Sequence, residues 1–267
     1  MKFYIKTYGC QMNERDSEAL SCLLEGDGHE CVESEGLADL IVFNTCSVRD
    51  QAERKAIGKI GFMKKLKKTN PDLIVGVVGC MAQNHGDTLL KQLPVLDFVA
   101  GTDQLHRVPE LVRSIANDRG RYSETGLDRV IRPELDGHRL GSVVAEVAVM
   151  RGCDQFCSYC IVPYVRGREK SRPISSIVEE VRRLVDGGTR EVLLLGQNIT
   201  AFGVAEARRD GVYTPEFSAF ADLLSSVHAV DGLERIRFTS PHVHFMNDAF
   251  IRTVRDLPKV CKCFHIP

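Results

Sequence analysis

The sequence lacks four features that would indicate export, a membrane or a polyanion partner. It contains no tryptophan, and its formal net charge is −1 over 267 residues, so any contact with nucleic acid must come from local basic patches. No apolar run reaches the length of a membrane span, and the N-terminus has no signal-peptide core. These absences predict a cytoplasmic protein without a membrane partner.

Cysteine, by contrast, is abundant, with ten residues in the chain. In a chain without an export signal, this number indicates a reducing compartment, where thiols bind metals or react instead of pairing as disulfides. The hydrophobic fraction of 43% and the charged fraction of 27% are ordinary for a globular protein. The length fits one large or two ordinary domains.

The first hundred residues alternate strand and helix patterns. Apolar, β-branched runs predict strands at 2–8, 39–45, 73–78 and 97–100. Helical patterns lie between them at 13–24, 48–66 and 83–92. This alternation predicts an α/β fold with an open parallel sheet, of the flavodoxin or Rossmann-like type, in a first domain at 1–116.

A polar stretch rich in Arg, Asp and Gly follows, and we predict an interdomain linker at 117–141. A second alternation occupies 142–267. Its strands are predicted at 142–150, 191–195, 233–238 and 260–266, and its helices at 175–186, 217–227 and 247–255. Four strands are too few to close a barrel, so we expect a partial β/α barrel.

The most informative motif is the CxxxCxxC run of Cys153, Cys157 and Cys160. Three thiolates on one short loop can hold three irons of a 4Fe–4S cluster and leave the fourth iron open to chelate a substrate. The alternative is structural zinc, which prefers four closed ligands, usually in closely spaced pairs. In that alternative, Cys261 or Cys263 would supply the fourth ligand.

Three further cysteines each follow a predicted strand. They are Cys10, Cys46 and Cys80, and glycine precedes two of them. The carboxyl ends of parallel strands meet at one edge of a sheet, so these thiols would converge there. The functional interpretation is a second cluster with an open iron. The alternative is three buried free cysteines, which are common at strand ends.

Several motifs, in order, resemble the methylthiotransferases, a family of radical S-adenosylmethionine enzymes. They include Thr-Tyr-Gly-Cys-Gln-Met-Asn (7–13), Asp-Ser-Glu (16–18), Asn-Thr-Cys-Ser-Val-Arg (44–49) and Gly-Cys-Met-Ala-Gln (79–83). The CxxxCxxC loop, Arg-Gly-Arg-Glu-Lys-Ser-Arg (166–172), Leu-Leu-Gly-Gln-Asn (194–198) and Phe-Thr-Ser-Pro-His (238–242) follow. The resemblance covers essentially the whole chain, and Gly-Gln-Asn is similar to the branch that modifies tRNA.

The resemblance implies that the second domain is a partial radical S-adenosylmethionine β/α barrel, and that the protein binds two 4Fe–4S clusters. The Cys153 set would bind the cluster that chelates S-adenosylmethionine, and the Cys10 set an auxiliary cluster that carries the inserted sulfur. The implied activity adds a methylthio group to carbon 2 of an isopentenylated adenosine beside the anticodon of tRNA. A ribosomal protein or threonylcarbamoyl-adenosine is the substrate in other branches, and an iron–sulfur carrier without catalysis is the alternative of another class.

The resemblance also implies roles for residues outside the cysteines. Gln197, Asn198, Ser240 and His242 would contact the cofactor or the substrate at the ends of barrel strands. Arg166, Arg168, Lys170 and Arg172 would contact an anionic tRNA or a cofactor carboxylate. We expect a flavodoxin- or ferredoxin-type electron donor and a monomer. Carboxylates such as Glu179 and Glu180 are interpreted as solvated helix faces.

Family members continue past Pro267 to complete the barrel and to add a small RNA-binding (TRAM) domain. Missing barrel strands would leave an unpaired edge, so we expect this polypeptide alone to modify tRNA weakly or not at all. Nucleoside analysis of tRNA treated with the 267-residue chain checks this expectation, and full modification would contradict it.

Overall fold

The computed structural model describes residues 1–48, 50–127, 137 and 141–266. Arg49 of the 44–49 motif and residues 128–136 and 138–140 of the predicted linker lie outside the described residues. The chain divides into two compact units, one of Met1–Gly137 with Cys157–Arg166 and the other of His138–Phe156 with Gly167–Pro267. The predicted domain boundaries stay a prediction.

The first unit is built on a six-stranded sheet whose strands are all parallel. The strands are β1 (Lys2–Tyr8), β2 (Glu30–Cys31), β3 (Leu40–Thr45), β4 (Ile74–Gly79), β5 (Phe98–Ala100) and β6 (Tyr122–Glu124), in the spatial order β2-β1-β3-β4-β5-β6. The helices are α1 (Gln11–Gly26), α2 (Asp50–Thr69), α3 (Cys80–Gln92), α4 (Val108–Asp118) and α5 (Val162–Val165).

Helices cover both faces of this sheet. Leu20 of α1 and Val112 of α4 pack with Phe3 on one face, whereas Ile60 of α2 and Leu89 of α3 pack with Phe43 on the other. Burial on both faces explains why β3 and β4 are buried at every position, because parallel sheets covered by helices read as continuous apolar runs. The predicted open parallel sheet is confirmed.

The second unit contains a three-stranded parallel sheet in the order β11-β10-β7 and a two-stranded antiparallel ribbon. Its strands are β7 (Val144–Ala148), β8 (Met150–Arg151), β9 (Lys170–Ser171), β10 (Glu191–Leu195) and β11 (Arg235–Phe238). Its helices are α6 (Ile174–Asp186), α7 (Val204–Arg209), α8 (Ala219–His228) and α9 (Asp248–Asp256). Helix α6 packs on β7 and on α8, so this unit has the strand–helix layering of a partial β/α barrel.

The structure differs from the sequence-based expectation in both units, and the short elements α5, α7 and β9 were not predicted. The polar stretch after Ala116 is not irregular throughout, because Tyr122–Glu124 forms the edge strand β6 beside β5. Helix α4 was not predicted, although Val108, Leu111, Val112 and Ile115 have the spacing of one buried helix face. The two-residue strand β2 is too short to give a pattern. The predicted strand at 260–266 is wrong in extent, since only Val260 bridges to Ile236. Its apolar residue Phe264 instead stacks on Phe238.

None of the helices in the described part of the chain is both long and apolar enough to cross a lipid bilayer.

Gly76, in the middle of β4, tests the packing of the first sheet. A Cβ added there would lie 2.0 Å from Cζ of the buried Phe98, so Gly76→Ala forces the ring aside and should cost about 1–3 kcal/mol of unfolding free energy. The exposed Gly58 of α2 has nothing within 4 Å of its added Cβ, and Gly58→Ala should stabilise by about 1 kcal/mol. Urea unfolding midpoints measure both changes, and equal midpoints for the two variants would contradict this packing.

Candidate functional site

The first thiol set lies at the carboxyl edge of the first sheet. In the register of the sheet, Tyr8 pairs with Thr45, and Thr45 pairs with Gly79. Cys46 directly follows Thr45 and Cys80 directly follows Gly79, so both lie just beyond the ends of neighbouring strands. Cys10 lies two residues beyond the end of β1. Cys46 and Cys80 are each 3% exposed, and Cys10 is exposed. The sheet therefore brings together three cysteines that lie 36 and 34 residues apart in sequence.

Helix starts provide a favourable charge environment for two of these thiols. Cys10 is the N-cap residue of α1, and Cys80 is the first residue of α3. The partial positive charge at a helix N-terminus stabilises a thiolate, which is the form that binds a metal. The third thiol, Cys46, accepts a hydrogen bond from the backbone N–H of Val48 at 3.3 Å.

Buried asparagines fix the strand ends that carry these thiols. The Asn13 Nδ2 donates to Oδ1 of Asn44 at 3.0 Å, and the Asn44 Nδ2 donates to the Asn13 carbonyl at 2.9 Å. The Sγ of Cys10 lies 3.4 Å from Oδ1 of Asn13. Both asparagines are fully buried, so their mutual hydrogen bonds hold the start of α1 against the end of β3. Sequence reasoning missed this role, although both residues lie in the quoted motifs.

Gly79 allows the chain to turn from β4 into Cys80. Its φ of +92° lies in the left-handed region, and a Cβ there would lie 2.5 Å from Oδ1 of Asn44. Only glycine meets both requirements without strain. The glycine before Cys80 therefore serves the turn and the asparagine pair.

The Cys80 thiol is close to a buried cation. Burial raises the pKa of Cys80, the neighbouring Arg166 guanidinium lowers it through charge and a hydrogen bond, and the nearby Cys46 raises it again. Arg166 itself is 4% exposed and pairs with the fully buried Asp16 at 3.0 Å. The prediction that Arg166 contacts nucleic acid is therefore not supported.

The CxxxCxxC loop is held at both ends by backbone hydrogen bonds. The N–H of Cys153 donates to the Gly167 carbonyl at 3.1 Å, and the N–H of Cys160 donates to the Cys157 carbonyl at 2.9 Å. Cys153 is buried, whereas Cys157 and Cys160 are half-buried. Gly152, with φ of +79°, passes so close to Arg168 that a Cβ would lie 2.1 Å from the Arg168 carbonyl oxygen.

The residues predicted to contact cofactor or substrate lie beyond the ends of β10 and β11. The Gln197 Oε1 accepts from the N–H of Gly152 at 2.6 Å, so it fixes the residue before Cys153. Thr200 connects the residues after β10 with those after β11, because its hydroxyl lies within hydrogen-bond distance of Asn198 Oδ1 and of the His242 carbonyl oxygen. The Ser240 carbonyl accepts from the N–H of Ile199 at 3.2 Å. The structure brings these four residues to one region, and their binding roles stay a prediction.

Sequence reasoning missed a group of carboxylates beside the loop. The Asp154 carboxylate accepts from the Arg168 side chain at 2.6 Å and from the N–H of Glu169 at 3.0 Å. Burial, and then repulsion from Asp154 and Glu206, raises the pKa of Glu169 to about 7. Glu169 therefore gains and loses its proton near neutral pH. The sequence alone does not reveal this raised pKa, because it is the packing of the folded chain that removes Glu169 from water.

The structure places two other charged residues, Glu180 and Arg172, in an internal ion pair. Glu180 is not a solvated face but is buried and pairs with Arg172 at 2.5 Å. Arg172 also donates to the Ala148 carbonyl at 2.6 Å, so two internal partners occupy its guanidinium. Arg168 is exposed beyond its pair with Asp154, and Lys170 is half-buried on β9. Nucleic-acid contacts by Arg168, Lys170 and Arg172 stay a prediction.

The donor chemistry of both thiol sets fits iron–sulfur clusters. All ten cysteines fall in the described ranges, and all are free thiols. Two buried polar atoms next to the loop, Nδ2 of Asn198 and Oε1 of Glu169, have no hydrogen-bond partner among the described residues, as expected where a polar ligand completes a site. Within those residues, no three His, Cys, Asp or Glu side chains are arranged to hold one metal ion. An iron–sulfur cluster does not require three ligands around one ion, because each thiolate binds a separate iron atom.

Comparison with known proteins agrees with this arrangement. Residues 2–101 match the model of the uncharacterized protein family UPF0004, and residues 147–266 match that of the Radical SAM superfamily. The chain is 46% identical over 266 residues to a protein of Geobacter metallireducens named tRNA-2-methylthio-N(6)-dimethylallyladenosine synthase, aligning 99% of this chain and 58% of that protein. It is 41% identical to the protein of that name from Opitutus terrae, aligning 100% of this chain and 61% of the relative. The chain thus spans about three fifths of the length of the curated relatives it matches.

A solved structure shares the fold. The radical S-adenosylmethionine methyltransferase TsrM from Kitasatospora setae, with tryptophan substrate and a SAM analog bound, matches with a TM-score of 0.59 at 14% identity. The match covers 96% of this chain and 66% of that one.

The raised pKa of Glu169 can be tested through the pH dependence of the protein's stability. A raised pKa means that the folded state binds the proton more tightly, so the stabilisation is present below the ordinary pKa of 4.5 and is lost as the pH rises through about 7. The free energy of unfolding of the wild type, measured by urea titration, should fall by at most about 3 kcal/mol as the pH rises over this range. Glu169→Gln should remove that part of the pH dependence. The exposed Glu179 on α6 supplies the control Glu179→Gln, and parallel profiles for wild type and Glu169→Gln would contradict the assignment.

The two matched family models lie in the order in which the two thiol sets occur, and the curated relatives align across nearly the whole chain. The resemblance stated from the motifs is confirmed: the chain matches the UPF0004 and Radical SAM models in that order, and it is similar over nearly its whole length to relatives named tRNA-2-methylthio-N(6)-dimethylallyladenosine synthase.

Proposed function

We propose that the protein is a tRNA methylthiotransferase that replaces the hydrogen on carbon 2 of an isopentenylated adenosine beside the anticodon with a methylthio group. The observation that carries the proposal is the convergence of Cys46 and Cys80 on neighbouring strand ends, with Cys10 after the next strand. A radical enzyme that only abstracts hydrogen has no need of this second thiol set. Sulfur insertion does need it, because the sulfur must be held near the activated carbon.

The proposal assigns one 4Fe–4S cluster to each thiol set. Cys153, Cys157 and Cys160 would hold the cluster that binds S-adenosylmethionine, and Cys10, Cys46 and Cys80 would hold the auxiliary cluster. When bound, these groups supply S-adenosylmethionine chelation, one-electron reduction and the sulfur that is inserted. We further propose a flavodoxin- or ferredoxin-type electron donor, a monomeric protein and a cytoplasmic location.

The protein's own residues orient the ligands and exclude water. Gln197 holds the backbone of Gly152 at 2.6 Å and so fixes the entry to Cys153. The buried Nδ2 of Asn198 is available to donate to a carboxylate or a ribose oxygen, and Glu169 can donate its proton to an acceptor of the substrate. Burial of Cys46 and Cys80 keeps solvent from the sulfur-bearing side.

Iron content tests the two-cluster assignment. After anaerobic reconstitution, the wild type should hold about eight irons per chain, and the Cys10→Ala, Cys46→Ala, Cys80→Ala triple variant about four. The matched control, Cys22→Ala with Cys31→Ala, removes two cysteines outside both sets and should keep the wild-type content. About four irons in wild type and triple variant alike would exclude sulfur insertion from an auxiliary cluster.

Substrate competition tests the choice among the family's branches. Unmodified tRNA carrying isopentenyladenosine is incubated with S-adenosylmethionine and a reductant, and its nucleosides are analysed by mass spectrometry. The same reaction is run with ribosomal proteins and with tRNA carrying threonylcarbamoyl-adenosine. Methylthiolation of either alternative in preference to isopentenyladenosine would overturn the substrate assignment while leaving the cluster chemistry in place.

A further inference from the structure

Helix α2 carries a high density of positive charge. Seven of the chain's 35 Lys and Arg residues lie in the segment 54–68, which contains no acidic residue, although the chain as a whole has a formal net charge of −1. The acidic residues of the helix, Asp50 and Glu53, are confined to its first turn. Interaction with the helix dipole favours cations in the last turn only, so the cations before that turn require another explanation.

Four of these cations have no acidic partner. Lys59 is paired with Glu35 at 2.7 Å, and Lys67 is paired with Asp97 at 2.6 Å. The carboxylates in the described part of the chain form no ion pair with four exposed lysines of the helix, which are Lys55, Lys64, Lys65 and Lys68. Like charges four residues apart on a helix, such as those at 64 and 68, repel each other. An anionic partner would relieve that repulsion.

An exposed aromatic ring lies among the lysines. The residues of α2 that are buried in the core are Ala56, Ile60 and Met63. Phe62 lies outside their face of the helix, and its side chain is 53% exposed. The ammonium groups of Lys65 and Lys59 lie 4.3 and 5.9 Å from its ring centroid. A base or a ribose can pack on such a ring while the lysines contact the flanking phosphates.

The helix leads away from the first thiol set. It begins four residues after Cys46, at the carboxyl edge of the sheet, and it ends before β4, at the opposite edge. Its 20 residues span about 30 Å. In an RNA stem-loop that presents a loop nucleotide at the thiol edge, the phosphates of the stem lie further out. The lysines of α2 extend along such a stem, so one end of the helix serves the chemistry and the rest the phosphates.

Other anionic partners fit this face less well. Helices that bind an anionic membrane surface bury an apolar stripe in the lipid, whereas Phe62 is the only large apolar side chain exposed on residues 50–69. An acidic electron donor has to approach a cluster, whereas the lysines at 64–68 lie at the edge of the sheet opposite the first thiol set. RNA is therefore the partner that the ring and the position of the lysines favour.

We propose that the exposed face of α2 binds the sugar–phosphate backbone of the RNA substrate. This lysine face consists of Lys55, Phe62, Lys64, Lys65 and Lys68. The lysines neutralise phosphates, and Phe62 packs on a base or a ribose. This inference rests on the proposed function, which makes an RNA stem-loop the substrate. Phosphate contacts position a nucleic acid without reading its sequence, and the release of counterions makes the binding dependent on salt.

RNA binding by the 267-residue chain tests the lysine face. The probe is a fluorescein-labelled anticodon stem-loop RNA, and its Kd is measured by fluorescence anisotropy between about 50 and 200 mM KCl. In the Lys64→Gln, Lys65→Gln, Lys68→Gln variant, the Kd at low salt should rise about tenfold or more. The slope of log Kd against log[KCl] should fall by about 2, because each lost phosphate contact removes about 0.7–0.9 from it.

The control variant is Arg182→Gln, Arg252→Gln, Arg255→Gln. It removes three exposed cations of the second unit, so it changes the net charge by the same amount and should keep the wild-type slope. Phe62→Ala should raise the Kd about fivefold or more at an unchanged slope, because loss of stacking releases no counterions. All substituted side chains are exposed, so the urea midpoints of the variants should stay close to that of the wild type.

The outcomes separate this inference from the proposed function. A lower affinity and a smaller slope in the lysine variant, with an unchanged control, support the lysine face. Equal slopes in wild type and lysine variant overturn it, as does a wild-type chain that does not bind the RNA. Displacement of the RNA by polyglutamate or by phosphatidylserine vesicles at equal charge concentration would assign the face to an acidic protein or a membrane instead. Nucleoside analysis of treated tRNA tests the proposed function separately, because it detects methylthiolation whether or not α2 contributes to binding.

Discussion

The parallel register of β1, β3 and β4 is the constraint on which the first site depends. Because Tyr8, Thr45 and Gly79 are aligned across the three strands, the residues after them leave the sheet at the same level. Any slip of register by one residue would move the side chains of a strand to the opposite face. In β3 and β4 both faces are packed under helices, so a slip would exchange side chains between two differently packed faces. Gly76, which fits against the Phe98 ring, is an example. Packing of the core therefore fixes the spacing of the thiols.

The polar groups around this edge are satisfied mostly by one another. Asn13 and Asn44 exchange hydrogen bonds, and the Thr45 hydroxyl donates to the Val78 carbonyl at 2.8 Å. A buried amide without partners costs a large part of its hydration free energy, whereas a complete network rigidifies the site. The network therefore makes the thiol positions insensitive to small changes elsewhere in the chain.

In the second unit, too, a side-chain amide fixes the backbone next to a thiol. Its loop begins directly after the short strand β8, and Gln197 from beyond β10 returns to hold Gly152. Carboxylates Asp154 and Glu169 lie beside that loop. Burial acts to raise the pKa of both, but hydrogen bonds from Arg168 and the Glu169 N–H hold the pKa of Asp154 below its usual range, whereas that of Glu169 rises to about 7. The two neighbouring carboxyl groups therefore ionise at different pH values.

The sequence by itself determined the sheet class, the placement of three cysteines after strands and of three in one loop, and the resemblance to a family. These features depend on apolar periodicity and short motifs, which are local properties of the sequence. The strand at 191–195 was predicted with its observed limits for that reason. Only the tertiary structure decided which charges are buried. Arg166 and Arg172 look alike in sequence to Arg168, yet the first two lie in buried ion pairs and the third is exposed. Burial depends on residues such as Asp16, 150 positions away, and no local pattern records that distance.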